Sequence, residues 1–210
     1  SCSDTTLIGE KWPDAATAVA AMLENPVREE PYTFYALKGW NPAYGYSAFV
    51  LGTDAQAEML VRMTQVSLNS AKAYYEEKHD KATFVKSIIS DNILLGDIYV
   101  RAKELHFASE ALRAVFLVRQ VGSAEIAAVD VVQSLFSDSQ EDFVISINET
   151  DIAVVKQIQP NTEREELIKI AQTIEQTLHS ELFIKTVIGI GTVASHLREL
   201  ADSFTEAQVA

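Results

Sequence analysis

Leu112–Val121 reads LRAVFLVRQV, and the elements that follow this stretch decide the fold. It is a strand with a buried central run, apolar without interruption from Ala114 to Val118. Ser123 then caps a helix that carries Ile126, Val129, Val132, Leu135 and Phe136. Asp142–Ile147 (DFVISI) and Ile152–Ile158 (IAVVKQI) are two further strands, separated by Asn148–Asp151, a tight-turn composition. Thr162 and Glu165 have the spacing of a capping box ahead of Leu167, Ile170, Ile174 and Leu178, a helix face of clean periodicity. Phe183–Ile190 is the next strand, ended by Gly189 and Gly191, and Ser195 caps a last helix with Leu197, Leu200, Ala201 and Phe204. The order β-α-β-β-α-β plus a trailing helix predicts an α+β fold of the split-βαβ, palm-like kind, an antiparallel sheet with helices on one face.

Upstream of this core, Asp91–Asn92 is followed by ILLGDIYVRAKELHF, in which Gly96 ends one helix and Asp97 caps another. Ile98, Ala102 and Leu105 make that helix amphipathic, with Arg101 and Lys103 outside. Before it, Asp54 opens a helical tract that reaches about Ser90 without Pro or Gly. Unbroken, it would be roughly 55 Å long, more than a small domain is wide. Met59, Met63, Val66, Ser70 and Ala73 form a short heptad-like seam along it, and Phe84, Ile88 and Ile89 continue the apolar face. Two readings stand side by side. The helix roofs its own sheet and breaks near His79–Asp80, or it pairs with its twin in a homodimer through Met59, Met63, Val66 and Ala73, flanked by Tyr74 or Tyr75.

The first 55 residues are fragmentary in pattern. Pro13–Glu24 is an Ala-rich helix stopped by Asn25–Pro26. Tyr32–Leu37 (YTFYAL) and Tyr46–Leu51 (YSAFVL) alternate as antiparallel strands joined by the Gly-, Pro- and Asn-rich Lys38–Gly45. Tyr32, Tyr35, Trp40, Tyr44 and Tyr46 are candidate lining for a small-molecule pocket, set against the plainer reading that they pack under the long helix.

The chain has 210 residues, 48% hydrophobic and 22% charged, close to ordinary globular composition, and it shows no internal repeat. No apolar stretch approaches the roughly 20 residues of a membrane span, and no leader opens the chain. Its one cysteine, Cys2, fits a reducing compartment, so a cytoplasmic location is expected. Seventeen basic residues against thirty acidic ones give a net charge of −13, and both halves about Glu110 are acidic. Such a surface repels phosphate backbones, which argues against direct nucleic-acid binding by these residues.

A palm-like order raises the question of two-metal phosphoryl chemistry, which needs acidic residues on the first strand and the facing hairpin. The first strand carries Arg113 and Arg119 and no acid, and after Gly122–Ser123 no carboxylate comes until Glu125. The hairpin Asn148-Glu149-Thr150-Asp151 has acids but lacks the paired glycines that let a nucleotide approach the backbone. His79, His106, His179 and His196 stand in separate segments without metal-ligand spacing. Gly189-Ile190-Gly191 is half a phosphate loop without its lysine and reads better as a strand-to-helix turn. The expectation is a protein that is not an enzyme and holds no metal or cofactor.

Two stretches resemble a known family. Phe84–His106 (FVKSIISDNILLGDIYVRAKELH) resembles the connector before the middle domain of sugar-diacid and purine-catabolism transcriptional regulators, the CdaR/PucR type. Val187–Ala207 (VIGIGTVASHLRELADSFTEA) resembles the end of that middle domain, a degenerate relative of GGDEF diguanylate cyclases. The resemblance implies a GAF-like, partial ligand-sensing region over residues 1–82, a helical connector over 83–110 and a degenerate GGDEF-like domain over 111–210. It also implies an unknown small-molecule effector, with DNA contacted only through a C-terminal helix-turn-helix missing from a chain that stops at Ala210. The alternative function is a GGDEF-type nucleotide-binding or cyclase-related signalling protein, and the hairpin separates the two.

Overall fold

The computed structural model describes residues 3–8, 25–37, 46–122, 125, 127–137 and 139–210. The helix expected over Pro13–Glu24, the cap at Ser123, and Ile126, Trp40 and Tyr44 lie outside these residues. The chain divides into two compact units, Ser1–Glu76 and Glu77–Ala210.

In the first unit, β1 (Val27–Glu29), β2 (Tyr32–Ala36) and β3 (Ser47–Leu51) form an antiparallel sheet in that order. The expected hairpin is present as β2 and β3, with Phe34 opposite Phe49. Three-residue β1 carries too little periodic signal to read as a strand and is a correction to the two-strand picture. Buried Thr33 donates its hydroxyl to the Gly52 carbonyl (2.7 Å), which pins the far end of the hairpin. Leu37, Ala48 and Val61 share one small core with Tyr35, Val50 and Leu68 packed against it.

Helix α1 (Ala55–Ile89) runs for 35 residues, about 52 Å, with no break at His79–Asp80. Asp54 caps it, its Oδ1 accepting from the Ala57 amide (2.8 Å). Through Ala57, Val61 and Leu68 it covers the little sheet, whereas Met59, Met63, Val66 and Ala73 are exposed. Roofing and seam are therefore two different faces of one helix.

The second unit holds α2 (Leu95–Glu104), β4 (Arg113–Val121), α3 (Ala127–Leu135), β5 (Phe143–Ser146), β6 (Asp151–Gln157), α4 (Arg164–Leu182), β7 (Lys185–Ile190) and α5 (Leu200–Val209). The sheet order is β5-β6-β4-β7, every neighbour antiparallel, so the α+β fold and the β-α-β-β-α-β order hold. Helices cover both faces of the sheet, however, not one. Ala114, Phe116, Val118, Ile152 and Val154 point to α3 and α4, meeting Ala128, Val132, Phe136, Leu167, Ile174 and Leu178. The alternate residues Val115, Leu117, Ala153, Val155, Phe143 and Ile145 meet Phe84, Val85, Ile88 and Ile89 of α1, with Ile98, Leu200 and Phe204. Each of the larger of these side chains, Val, Leu, Ile or Phe, contributes roughly 1.5–3 kcal/mol of transfer free energy, so the strand buried on both faces anchors the unit.

Several boundaries differ from expectation for local reasons. Helix α2 starts at Leu95, with Leu94 in the N-cap position and no side-chain cap, so Gly96 lies inside the first turn and Asp97 caps nothing. At α4 the N-cap is Glu163, again without a side-chain cap, because the Thr162 hydroxyl accepts from the Gln159 amide (3.1 Å). Phe183 is not in the strand: it ends α4 in the left-handed conformation, φ 58°, and is exposed. Ser195 caps no helix; His196 caps a short 3-10 turn, Leu197–Glu199, that leads into α5. The Glu199 carboxylate accepts from the Ser195 amide (2.7 Å) and hydroxyl (2.9 Å) and lies below the usual carboxylate range because of them. The Gly189 and Gly191 pair has a packing cause: a Cβ at either would run into the Ala207 or Ser203 carbonyl of α5.

Candidate functional site

The hairpin between β5 and β6 is built around the side chain of Asn148. Its Oδ1 accepts from the amides of Thr150 (2.9 Å) and Asp151 (2.8 Å), an Asx turn that closes the loop on itself. The Ile147 amide donates to the Asp151 carbonyl (2.9 Å), and the Gln120 amide of β4 to the Thr150 carbonyl (2.9 Å). The turn is thus held both by its own residues and by the neighbouring strand.

The β4–β6 register sets Arg119 directly opposite Asp151. Arg119 donates through Nε to Asp151 Oδ1 (2.9 Å) and through one terminal nitrogen to Oδ2 (2.8 Å), a bidentate pair. The Asn148 side-chain Nδ2 adds a third donor, to Oδ2 (3.2 Å). These hydrogen bonds, Arg119 first, hold the buried Asp151 carboxyl below its ordinary value of 3.8, and the same pair raises Arg119. Chemically, the end of the sheet offers a half-exposed guanidinium whose carboxylate partner has both oxygens taken. Glu149 is exposed at the tip. Among the described residues no group of three or more His, Cys, Asp or Glu side chains is placed to hold a metal ion.

A second charged group lies near the other end of β4. Arg113, 1% exposed, donates to the carbonyls of Ala111 (3.1 Å) and Ala108 (2.8 Å), and its guanidinium carbon lies 4.6 Å from the Phe107 ring centroid. Burial lowers its pKa, opposed by the charges of Glu141 and Asp142. Lys81 of α1, 5% exposed, pairs with Glu77 one turn earlier (3.0 Å). This group has no local sequence signal, since its members come from three distant segments; Arg119 and Asp151 are readable as a pair only once the β4–β6 register is known.

Of the candidate pocket aromatics, Tyr32 and Tyr46 line one open groove of about 780 Å³ together with Leu37, Ala48, Phe49 and Leu68. Tyr32 also meets Phe49 edge-on (5.6 Å). Tyr35 does not line it: it packs beside Val61 and takes the Arg62 guanidinium on its face (5.4 Å). Beneath these, Glu58 accepts from Arg28 (2.9 Å) and Arg62 (3.0 Å), which lowers its pKa.

The antiparallel β-α-β-β-α-β sheet with its long-helix and C-terminal-helix layer defines an α+β domain of the split-βαβ class. Residues 91–210 match the model of the GGDEF-like domain, and the chain belongs to that family. No curated protein matches the chain. Among the described residues no helix is long and apolar enough to cross a membrane.

Proposed function

We propose that this chain is the regulatory, non-catalytic part of a bacterial transcriptional regulator of the sugar-diacid and purine-catabolism type. In this reading the N-terminal region meets a small-molecule effector, two copies pair along α1 in the cytoplasm, and DNA is contacted through a helix-turn-helix beyond these residues. The observation that carries the non-catalytic part is the Arg119–Asp151 pair. Two-metal catalysis requires free carboxylate oxygens on the first strand and the hairpin. Here the first strand supplies a cation instead, and that cation occupies both oxygens of Asp151, the hairpin acid that faces the strand, leaving Glu149 at the exposed tip. A metal ion at this end of the sheet would have to displace a bidentate partner and would still face a positive side chain.

The test is a calorimetric titration of the protein with GTP in the presence of magnesium. The expected result is no saturable heat up to about 1 mM nucleotide. Magnesium-dependent binding in the micromolar range would overturn the reading in favour of a nucleotide-binding signalling protein.

A further inference from the structure

We propose that Glu141 is a two-position carboxylate that registers whether the second half of α1 is docked on the sheet. Its two oxygens face different cations at the same distance: Oε1 lies 3.8 Å from Lys81 Nζ on α1, and Oε2 lies 3.8 Å from an Arg113 terminal nitrogen on β4. Neither separation is a hydrogen bond. Oε2 and the Arg113 Nε are both buried without a hydrogen-bond partner, in a group where Arg113 and Lys81 are almost fully enclosed. The carboxylate is partly exposed, 30%, and so has room to move, while its enclosed oxygen is left unpaired: a shift of about 1 Å toward either cation completes a charge-assisted hydrogen bond and abandons the other. With α1 docked, Lys81 competes for the carboxylate. With α1 displaced, Lys81 leaves with the helix toward Glu77, its own partner on the preceding turn, and Glu141 closes on Arg113.

The surroundings make the helix position a discrete variable. Lys78 Nζ donates to the Ser139 carbonyl (2.8 Å) and Lys86 Nζ to the Ser146 carbonyl (2.8 Å), so α1 is stitched to the segment that carries Glu141 at two flanking points. Phe84 of α1 meets Phe107 edge-on (5.7 Å), and Phe107 lies both under Arg113 and stacked on Phe143 (5.4 Å). Displacing the helix therefore opens an aromatic contact on the same residue that shelters Arg113, and frees Glu141 to compensate. The inference rests on Glu141 lying between Lys81 and Arg113 and stands whether or not the domain binds nucleotide.

Hydrogen exchange read by mass spectrometry on the full chain tests it, comparing wild type, Lys81→Met, Lys81→Arg and Glu141→Gln. In Lys81→Met, amides of residues 78–89 should exchange about tenfold faster while those of β4 keep or gain protection. Lys81→Arg should restore the wild-type pattern, and Glu141→Gln should loosen residues 78–89 and 108–113 together. Equal loosening of α1 and β4 in Lys81→Met marks a plain packing role and overturns the proposal, as does no change at all. Should Glu141→Gln fail to fold, the Lys81 pair alone decides.

Discussion

The two halves of α1 carry apolar side chains at the same helical spacing and use them in opposite ways. In the second half Phe84, Val85, Ile88 and Ile89 are all buried, and Lys78 and Lys86 reach across to backbone carbonyls. In the first half, among the described residues, a narrow line, Ala57 and Val61 with Leu68 half-buried, meets the small sheet, and Met59, Met63 and Val66 are exposed. Periodicity shows that a helix has an apolar face; it does not show what lies against that face. The four-stranded sheet with its own helices offers a broad surface to the second half, and among the described residues the three short strands cover one side of the first half.

The sharpest way to break this comparison is to truncate one residue from each half. Phe84 is 2% exposed and touches Phe107, so Phe84→Ala should cost about 3–5 kcal/mol in urea unfolding. Val66→Ala, at an exposed site, should stay within about 0.5 kcal/mol. Equal losses would show that both halves are buried alike.

A smaller effect is expected where α5 lies on β7. Gly189→Ala places a methyl against the Ala207 carbonyl, and because backbone cannot swing aside the cost should be about 1–3 kcal/mol in a thermal melt. A neutral substitution would show that the glycine pair serves something other than close packing.

Much of this was legible in the sequence, for identifiable reasons. The strand-helix order is carried by changes of apolar period, from two to three or four residues, and these survive any detail of packing. Coverage of both faces was in principle written in Leu112–Val121, where residues of either parity are apolar, but the single-face expectation for antiparallel sheets hid it. Caps are less legible: Thr162, Ser195 and Asp97 have the right chemistry, yet the Thr162 hydroxyl bonds within the loop before its helix, the Ser195 hydroxyl donates to the Glu199 carboxylate, and Asp97 falls inside a first turn. Within the candidate site the hairpin residues are visible in the sequence and the neutralisation of Asp151 is not, since Arg119 and Asp151 lie 32 positions apart.

That pair contributes to the acid side of stability. Asp151 has a lowered pKa when folded, so the unfolded chain binds more protons as pH falls, and stability drops with it. The contribution is complete above the ordinary value of 3.8 and fades as pH falls through the lower folded value. Asp151→Asn should therefore flatten the acid limb of a pH-dependent melt below about pH 4 and leave its neutral shape unchanged. An identical limb in wild type and variant would place the pair outside the stability balance.

The smallest expected change in the fold carries the most information about assembly. Met63 is 57% exposed in the middle of the Met59–Met63–Val66 line, with Ala73 further along the same face. Within one chain an aspartate there costs little, about 0.5 kcal/mol of helix propensity, because water reaches it. Between two copies paired on that face it would bury a charge against its twin, which association cannot tolerate. Met63→Asp should keep the wild-type circular dichroism and melting curve when dilute, yet sediment as a monomer at about 50 µM, where the parent protein should sediment as a dimer if the pairing holds. Ser70, exposed near the centre of the line, limits how tightly two such helices pack, so the parent dimer should dissociate on dilution rather than persist. A parent protein that is monomeric at the same concentration removes the pairing outright. A variant that loses helical signal assigns the face to the chain's own fold, and the contrast between the two halves of α1 then disappears.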